Sequence, residues 1–576
     1  MTDTGAGTGA GSERLPGSDP DSLGGHWIAA ALASRGVDTV FTLPGGQIVP
    51  VLDGLRREGV RCIDVHHEGA ACQMAVGWTL TTGRPGVAVV TAGAGFTHAL
   101  SGLADGVLGR LPLRLVAGRT DRGRQGRGAV QDLDQGAIAS AVGAGMTVLP
   151  AGPGDAAREL LASWDRAAAA PPAPLYVEVP GDTAWAVSPS VPRIARRGAL
   201  PPGPEPDDSQ VVAALALLRK AERPVVLCGS GAHWSAAGPA VRRFARRTGI
   251  PVVTTSAARG LLPDADPGCL GGLIHGGIAL AMADCVLVVG SRFDGNLLFG
   301  GPPLFPEGQV VCVIDRDERS AVGTRAADLR VTGDAALTLE RLTRRWSDGA
   351  AAADWPLRAA DAAAASRERW EASVPALSAR EVPLHPARLS LAVAGALGTV
   401  PATVVVDGGD ILTWSLPFLP AHRPGSLLTT STTLGTVGVG LPYAVAAALA
   451  HPERVTVLIS GDGALGLAAM ELATAVRHRL HLVVVVANNG GWGDIRHLQR
   501  ARLGAQGMVA SSFGDIRFDR LATALGARGR RVATAAALAR ALGRAVRDPG
   551  VTVLDVPTAA DAENWLMAAM GTLGVL

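Results

Sequence analysis

Short, uninterrupted runs of branched apolar residues recur along this chain, each passing through a turn into a longer helical pattern. "PGVAVVTAG" and "LRLVAG" open the series, "RPVVLCGSG", "IPVVTTS" and "DCVLVVGSRFDG" continue it, and "ATVVVDGGD" and "VTVLISGDG" close it. A strand with one wet face alternates apolar and polar residues, whereas one that is apolar throughout is covered on both sides. Strands of the second kind, separated by helices, make parallel sheets with helices on both faces. The expected fold class is therefore α/β, with doubly wound parallel sheets. No fixed-period repeat is visible, but three similar α/β units are expected.

Composition breaks place their limits. "PSVPRIARRGALPPGPEPDDS" (189–209) is rich in Pro and charge and reads as a linker, as does the Ala-rich, helical-looking stretch around 348–383 before "VPLHPARLS". The expected domains are 23–188, 205–347 and 384–560, flanked by a polar, Gly-rich tail over 1–22 and a C-terminal tail over 561–576. The 576 residues suffice for about three or four such units. The opening segment lacks the apolar centre of a signal peptide and the arginines of a transit peptide, and no apolar run reaches the roughly 18 residues of a spanning helix. A cytoplasmic protein without a membrane partner is expected.

Charge and composition remove other classes. With 53 basic and 51 acidic side chains and no basic face interleaved with aromatics, nucleic acid is not an expected partner. The six cysteines show neither CxxC nor zinc spacing and read as reduced thiols. The sole lysine, Lys220, lies in the charged helical end "LLRKAERP", which leaves no P-loop lysine and no pyridoxal Schiff-base lysine.

Chemistry concentrates in "VTVLISGDGALGLAAMELATAVRHRLHLVVVVANNGGWGD" (455–494). "VTVLIS" and "HLVVVVA" are buried strands, and Leu465, Ala468, Ala469, Leu472 and Val476 mark one face of the helix between them. A right-handed crossover makes the strands parallel, so both following turns share one sheet edge. Asp462 and Asn489 then meet at the carboxyl ends of strands, where α/β sheets bind ligands. Gly461 and Gly463 let a phosphate approach the backbone near a helix N-terminus. One carboxylate (Asp462), one amide oxygen (Asn489) and one backbone carbonyl (Gly491) supply half an octahedron for Mg²⁺, phosphate oxygens and water the rest. Either turn alone is a common turn; the pair reads as a Mg²⁺–diphosphate anchor.

This stretch resembles the GDG…NN fingerprint of the thiamine-diphosphate (ThDP) superfamily of acetolactate synthase, pyruvate decarboxylase and benzaldehyde lyase. "VFTLPGGQIVPVLDGL", "HHEGAACQMAVGW", "GRPGVAVVTAGAGFTHALSGLADG", "GAVQDLDQ", "PLYVEVPGDTAW", "AERPVVLCGSG" and "TTLGTVGVGLPYAVAAALA" resemble further family segments, in the same order over about 40–560. The resemblance implies a pyrimidine-binding domain, a central Rossmann-like domain and a diphosphate-binding domain. It places Glu68 of "HHEGAA" against the cofactor's aminopyrimidine, where a carboxyl promotes the imino tautomer that generates the nucleophilic ylide. It sets Val437 of "GTVG" beneath the bent cofactor, and Asp410, Gly435, Gly461, Gly463 and Ala464 join Asn489 and Gly491 around it. Gln131 and Gln47 match catalytic positions. Gly46, His98, Trp492 and His497 are candidates for the substrate pocket, while His66 and His67 carry a weaker signal.

The chain also departs from the pattern. Acetolactate synthases carry Phe where this chain has Val130, Lys where it has Gly181, and Trp where it has Leu498; "TAGAGFTHAL" and "NNGGWG" look closer to benzaldehyde lyase. In the middle unit "VVLCGSGAHW" lacks the third Gly, and "VVTTS" ends without an acidic ribose partner, which speaks against NAD. FAD, a structural group of acetolactate synthases, is compatible with the resemblance but not expected. The resemblance implies a ThDP- and Mg²⁺-dependent carboligase or lyase acting on a 2-oxo acid or 2-hydroxy ketone through an enamine to give acyloin-type products. Acetolactate synthesis, 2-hydroxyacyl-CoA cleavage and a non-catalytic paralogue are the alternatives. It further implies small carbonyl substrates and a homodimer or homotetramer with sites at the subunit interface.

Overall fold

The computed structural model describes residues 22–169, 173–188, 191, 194–195, 203–317, 325–347, 354–377, 382–429 and 433–562. The two expected tails lie outside the described residues except for Ser22, Asp561 and Ala562, as does most of the first linker.

Three six-stranded sheets form, and every strand pair within them is parallel. The first holds β1 (Thr39–Thr42), β2 (Arg61–Asp64), β3 (Val87–Val90), β4 (Arg114–Arg119), β5 (Gly145–Val148) and β6 (Leu175–Pro180) in the order β2-β1-β3-β4-β6-β5. The second holds β7 (Pro224–Cys228), β8 (Val252–Thr254), β9 (Cys269–Gly272), β10 (Cys285–Val289), β11 (Val310–Asp315) and β12 (Leu329–Thr332) in the order β12-β11-β10-β7-β8-β9. The third holds β13 (Ala402–Asp407), β14 (Leu427–Thr429), β15 (Val455–Gly461), β16 (Leu482–Asn488), β17 (Arg528–Arg531) and β18 (Val551–Pro557) in the order β14-β13-β15-β16-β18-β17.

The first and third sheets thus share one order, whose strand sequence reverses between β1 and β3 and between β13 and β15. The middle sheet has the order of dinucleotide-binding folds, reversing between β7 and β10. The central strands β4, β7, β10, β13 and β16 are buried along their whole length, as their apolar runs require, and β4 carries a buried arginine at each end, Arg114 and Arg119. The single helix expected between β15 and β16 forms as two segments, Asp462–Ala468 and Glu471–Arg477, with Leu465 and Leu472 both buried.

One hydrophobic core crosses from the first sheet to the third. Its centre is the contact between helix Glu68–Thr82 and helix Gly440–Ala450. The first begins at His67, whose Nδ1 accepts the Gly69 N–H at 3.0 Å, and stops at Gly83, whose φ of 70° breaks the helix without strain. A Cβ on Gly77 would stand 2.6 Å from Tyr443 Cα, so the two helices approach only because position 77 has no side chain. Beside it the buried Gln73 amide donates to Asp105 at 2.8 Å.

The stretch around 348–383 contains the helix Trp355–Leu377, and this helix is packed rather than free. Trp355 is fully buried in the middle domain and donates its indole N–H to Pro224 O at 2.9 Å, while Trp370 packs edge-on against Trp414 and Phe418 of the third. All six cysteines are unpaired. Among the described residues no helix is long and apolar enough to cross a membrane.

The close helix contact yields a measurable expectation. Gly77→Val overpacks it and should destabilise the chain by about 1–3 kcal/mol, read as a lower midpoint in thermal denaturation with the native far-ultraviolet circular dichroism retained at 20 °C. A midpoint equal to wild type would show that the helices can separate at no cost.

Candidate active site

β13, β15 and β16 end side by side, with Asp407 opposite Ser460 and Gly461 opposite Ala487. The turns that follow line a cleft of about 270 Å³, where Asp410, Gly435, Val437, Gly461, Asp462, Gly463, Ala464, Asn489, Gly491 and Trp492 come together. Asp462 is 1% exposed and accepts the Gly491 N–H at 2.9 Å. Burial pushes its carboxyl up to about 6, while the N–H groups of Gly463 and Gly491 pull the other way.

The two asparagines divide their tasks. Asn488 turns inward, donating to Ile516 O and Asp555 Oδ1 at 2.8 and 2.9 Å. Asn489 faces the cleft, where its Nδ2 lies 3.4 Å from Asp410 Oδ2 and its Oδ1 is buried without a partner. Asp410 therefore orients the amide so that its oxygen is the atom on offer. Arg496 holds the same residue from behind through Asn489 O at 2.9 Å. An orphaned amide oxygen, a buried carboxylate and the Gly491 backbone fit a hard divalent cation with diphosphate oxygens. Among the described residues no cluster of three or more His, Cys, Asp or Glu side chains competes for that role.

The missing side chain of Gly463, which lines the cleft, leaves room for Trp492, whose ring would lie 2.6 Å from a Cβ there. At Gly461 the nearest atom to a Cβ is 3.9 Å away, so the open approach is at that glycine. Trp492 also packs edge-on against Phe513 at 5.5 Å. His497 stands behind Asp410, 3.9 Å from its Oδ2, and is not part of the cleft wall.

Asp407, at the tip of β13, is a positioning residue that no sequence motif marked. It is 1% exposed and accepts the N–H groups of Gly438 and Gly440 at 3.3 and 2.7 Å, which pins the loop that carries Val437. Burial raises its carboxyl to about 6. Asp494, beside Asp410, is pushed up to about 6 by burial and by that neighbour.

The other sequence-selected residues gather in the first domain. Glu68 is buried, with Oε2 2.9 Å from His98 Nδ1, and His98 stacks on His67 at 4.6 Å. Gln47 and Gln131 are hydrogen-bonded to each other at 2.9 Å. Gly46 is held by its carbonyl, which accepts the Trp185 indole N–H at 3.1 Å. His66 donates its backbone N–H to Glu471, at 2.9 Å, across the domain contact. None of these first-domain residues lines the third-domain cleft. Of the departures, Val130 is 86% exposed, Leu498 is exposed, and a Cβ on Gly181 would collide with Asp121 Oδ1. In the middle domain, Gly229 and Gly231 allow close approach to Ser291 and Gly290, so they serve packing between loops at the switch point.

Comparison with known proteins agrees with the division into three. Residues 23–138 match a family described as "Thiamine pyrophosphate enzyme, N-terminal TPP binding domain", 211–342 the central domain of such enzymes, and 407–556 their C-terminal TPP binding domain. A "Probable acetolactate synthase" of Mycobacterium bovis is 35% identical over 93% of this chain and 95% of its own. A "2-hydroxyacyl-CoA lyase" of Arabidopsis thaliana is 30% identical over 95% and 97%. The "Acetolactate synthase isozyme 2 large subunit" of Escherichia coli is 29% identical over 92% and 95%.

The burial of Asp407 sets a pH dependence. Its carboxyl titrates near 6 when folded and near 3.8 when the chain is unfolded, so between those values the folded chain binds more protons and stability falls as pH rises. Asp407→Asn should remove its share of that slope, on the order of 2–3 kcal/mol between pH 4 and pH 6, in denaturant titrations of the cofactor-free protein. A slope unchanged by the substitution would place the proton elsewhere.

Proposed function

The chain belongs to the thiamine pyrophosphate enzyme family, and from that premise we propose that it joins or splits a carbon–carbon bond beside a carbonyl, with a 2-oxo acid or 2-hydroxy ketone as donor and an uncharged aldehyde or ketone as acceptor. Asp462, Asn489 Oδ1 and the Gly491 carbonyl would hold Mg²⁺, and with it the diphosphate; the orphaned Asn489 oxygen is the observation that supports this. Bound ThDP supplies a ring that makes the donor's carbonyl carbon nucleophilic. Glu68 holds a proton for that ring, with its second oxygen tied to His98. Asp407 fixes the loop that presents Val437.

The acceptor reading rests on Gly181. Where the resemblance puts a lysine in acetolactate synthases, this chain has Asp121 across the space a side chain would need. The arginines beside it are already committed, Arg122 to Asp182 at 2.8 Å and Arg124 to Asp121 at 3.7 Å, and a second carboxylate left unpaired in a cleft is costly. Condensation of two pyruvates is the second reading, favoured by the names of the acetolactate synthase relatives.

A homodimer or homotetramer with the first domain of one chain closing the third-domain cleft of another fits the separation of the two residue groups. It also fits the exposed apolar rim of Leu434, Val437, Leu467 and Met470, 38–61% exposed in the single chain. The reading includes a cytoplasmic location.

Two experiments bear on this. Glu68→Gln and Asp462→Ala chains should each be inactive, and mixing them should restore up to about a quarter of wild-type turnover, because random mixed dimers carry one intact site of two. No recovery after verified exchange would put each site within one chain. With pyruvate as donor, adding benzaldehyde should divert product from acetolactate to the mixed acyloin by at least about tenfold, measured by mass spectrometry; efficient acetolactate formation undiminished by aldehyde would favour the second reading.

A further inference from the structure

The first sheet reverses its strand order between β1 and β3, and the loops after β1, β3 and β4 meet there. Each brings one uncharged polar residue: Gln47, Thr91 and Gln131. The Thr91 hydroxyl donates to Gln47 Oε1 at 2.7 Å, and Gln47 Nε2 donates to Gln131 Oε1 at 2.9 Å. An amide has one end that accepts and one that donates. With its oxygen taken by Gln47, Gln131 keeps both N–H groups of Nε2, which have no partner among the described residues. Turning one amide over would force the next to turn as well.

The backbone is built around this line. A Cβ on Gly45 would collide with Thr91 Oγ1, one on Gly118 would lie 2.8 Å from Gln47 Cβ, and one on Gly93 would lie 2.9 Å from Gln131 Cα. Gln131 itself has φ 62°, an uncommon conformation for a residue with a side chain. The buried Gln135 braces two of these glycines, accepting the Gly93 N–H at 2.7 Å and donating to Gly118 O at 3.0 Å. Gly95 sets the line beside the acid, since a Cβ there would lie 2.7 Å from Thr91 Cγ2 and 3.3 Å from Glu68 Oε1.

We propose that Thr91, Gln47 and Gln131 form a polarised relay that presents the Gln131 amide as a fixed hydrogen-bond donor to the carboxylate of a 2-oxo acid, with Thr91 as the positioning residue. This rests on the functional reading above. It explains how a site with a carboxylate beside Gly181 still receives an acidic donor: two N–H groups, neutral but preoriented, replace a cation. A carboxylate accepts such bonds more strongly than an ester carbonyl does.

The test uses the full-length ThDP-loaded enzyme, with Thr91→Val removing the hydroxyl at constant shape and Thr91→Ser restoring it. Pyruvate affinity is measured by calorimetry in the Glu68→Gln background, which halts turnover, and KM in the parent. We expect Thr91→Val to weaken pyruvate about tenfold and methyl pyruvate by less than about threefold, with ThDP affinity and melting temperature held, and Thr91→Ser to return pyruvate affinity to within about threefold. Wild-type pyruvate affinity in Thr91→Val, equal losses for acid and ester, or no recovery with serine would each overturn the relay. Pyruvate binding that depends on Thr91 without product from any aldehyde or ketone would instead refute the functional reading and leave the relay standing.

Discussion

The contact between helix Glu68–Thr82 and helix Gly440–Ala450 sets the terms for everything else in the chain. It joins residues whose domains lie at opposite ends of the sequence, and it does so through a bare glycine rather than through polar pairing. Glu471 strengthens the link by accepting the His66 N–H two residues before Glu68, and Thr474 donates to the same carboxylate at 2.7 Å. The acid and the loop that carries Val437 are thereby mounted on one packed body, although they do not share a cleft.

Much of the architecture was legible because its causes are local. A strand apolar on both faces has few alternatives, and parallel connection then forces the turns after β15 and β16 to one edge, so Asp462 and Asn489 could be paired from the sequence. Polar residues whose meaning depends on what the fold brings opposite them were not legible. Asp407 and Thr91 sit at strand tips where the residues around them point to a strand or a family likeness but not to these side chains, and Arg496 and Gln135 act on backbone atoms of other turns, Asn489 for the first and Gly93 and Gly118 for the second. Nor can a sequence tell a glycine that yields to a ligand from one that yields to a neighbour: Gly461 is open and Gly463 lies under Trp492, yet the two flank the same aspartate.

The middle sheet carries that point further. Its strand order is the one that binds dinucleotides elsewhere, and at its switch point Gly229 and Gly231 let Ser291 and Gly290 approach, beside a cleft that Gly231, Gly290 and Ser291 line. Topology alone does not confer the ligand; the atoms at the switch point decide.

The helix Trp355–Leu377, a linker by its composition, behaves as a strut. At 23 residues it is about 34 Å long, and its two tryptophans are set into different domains like the ends of a beam let into opposite walls. A beam anchored in this way resists bending and transmits rotation. The middle and third domains cannot open about this segment as a hinge without breaking helical hydrogen bonds or withdrawing an indole from its core, so the motion left to them is sliding of packed surfaces. A segment that looks like slack in the sequence is the part of the chain that carries torque.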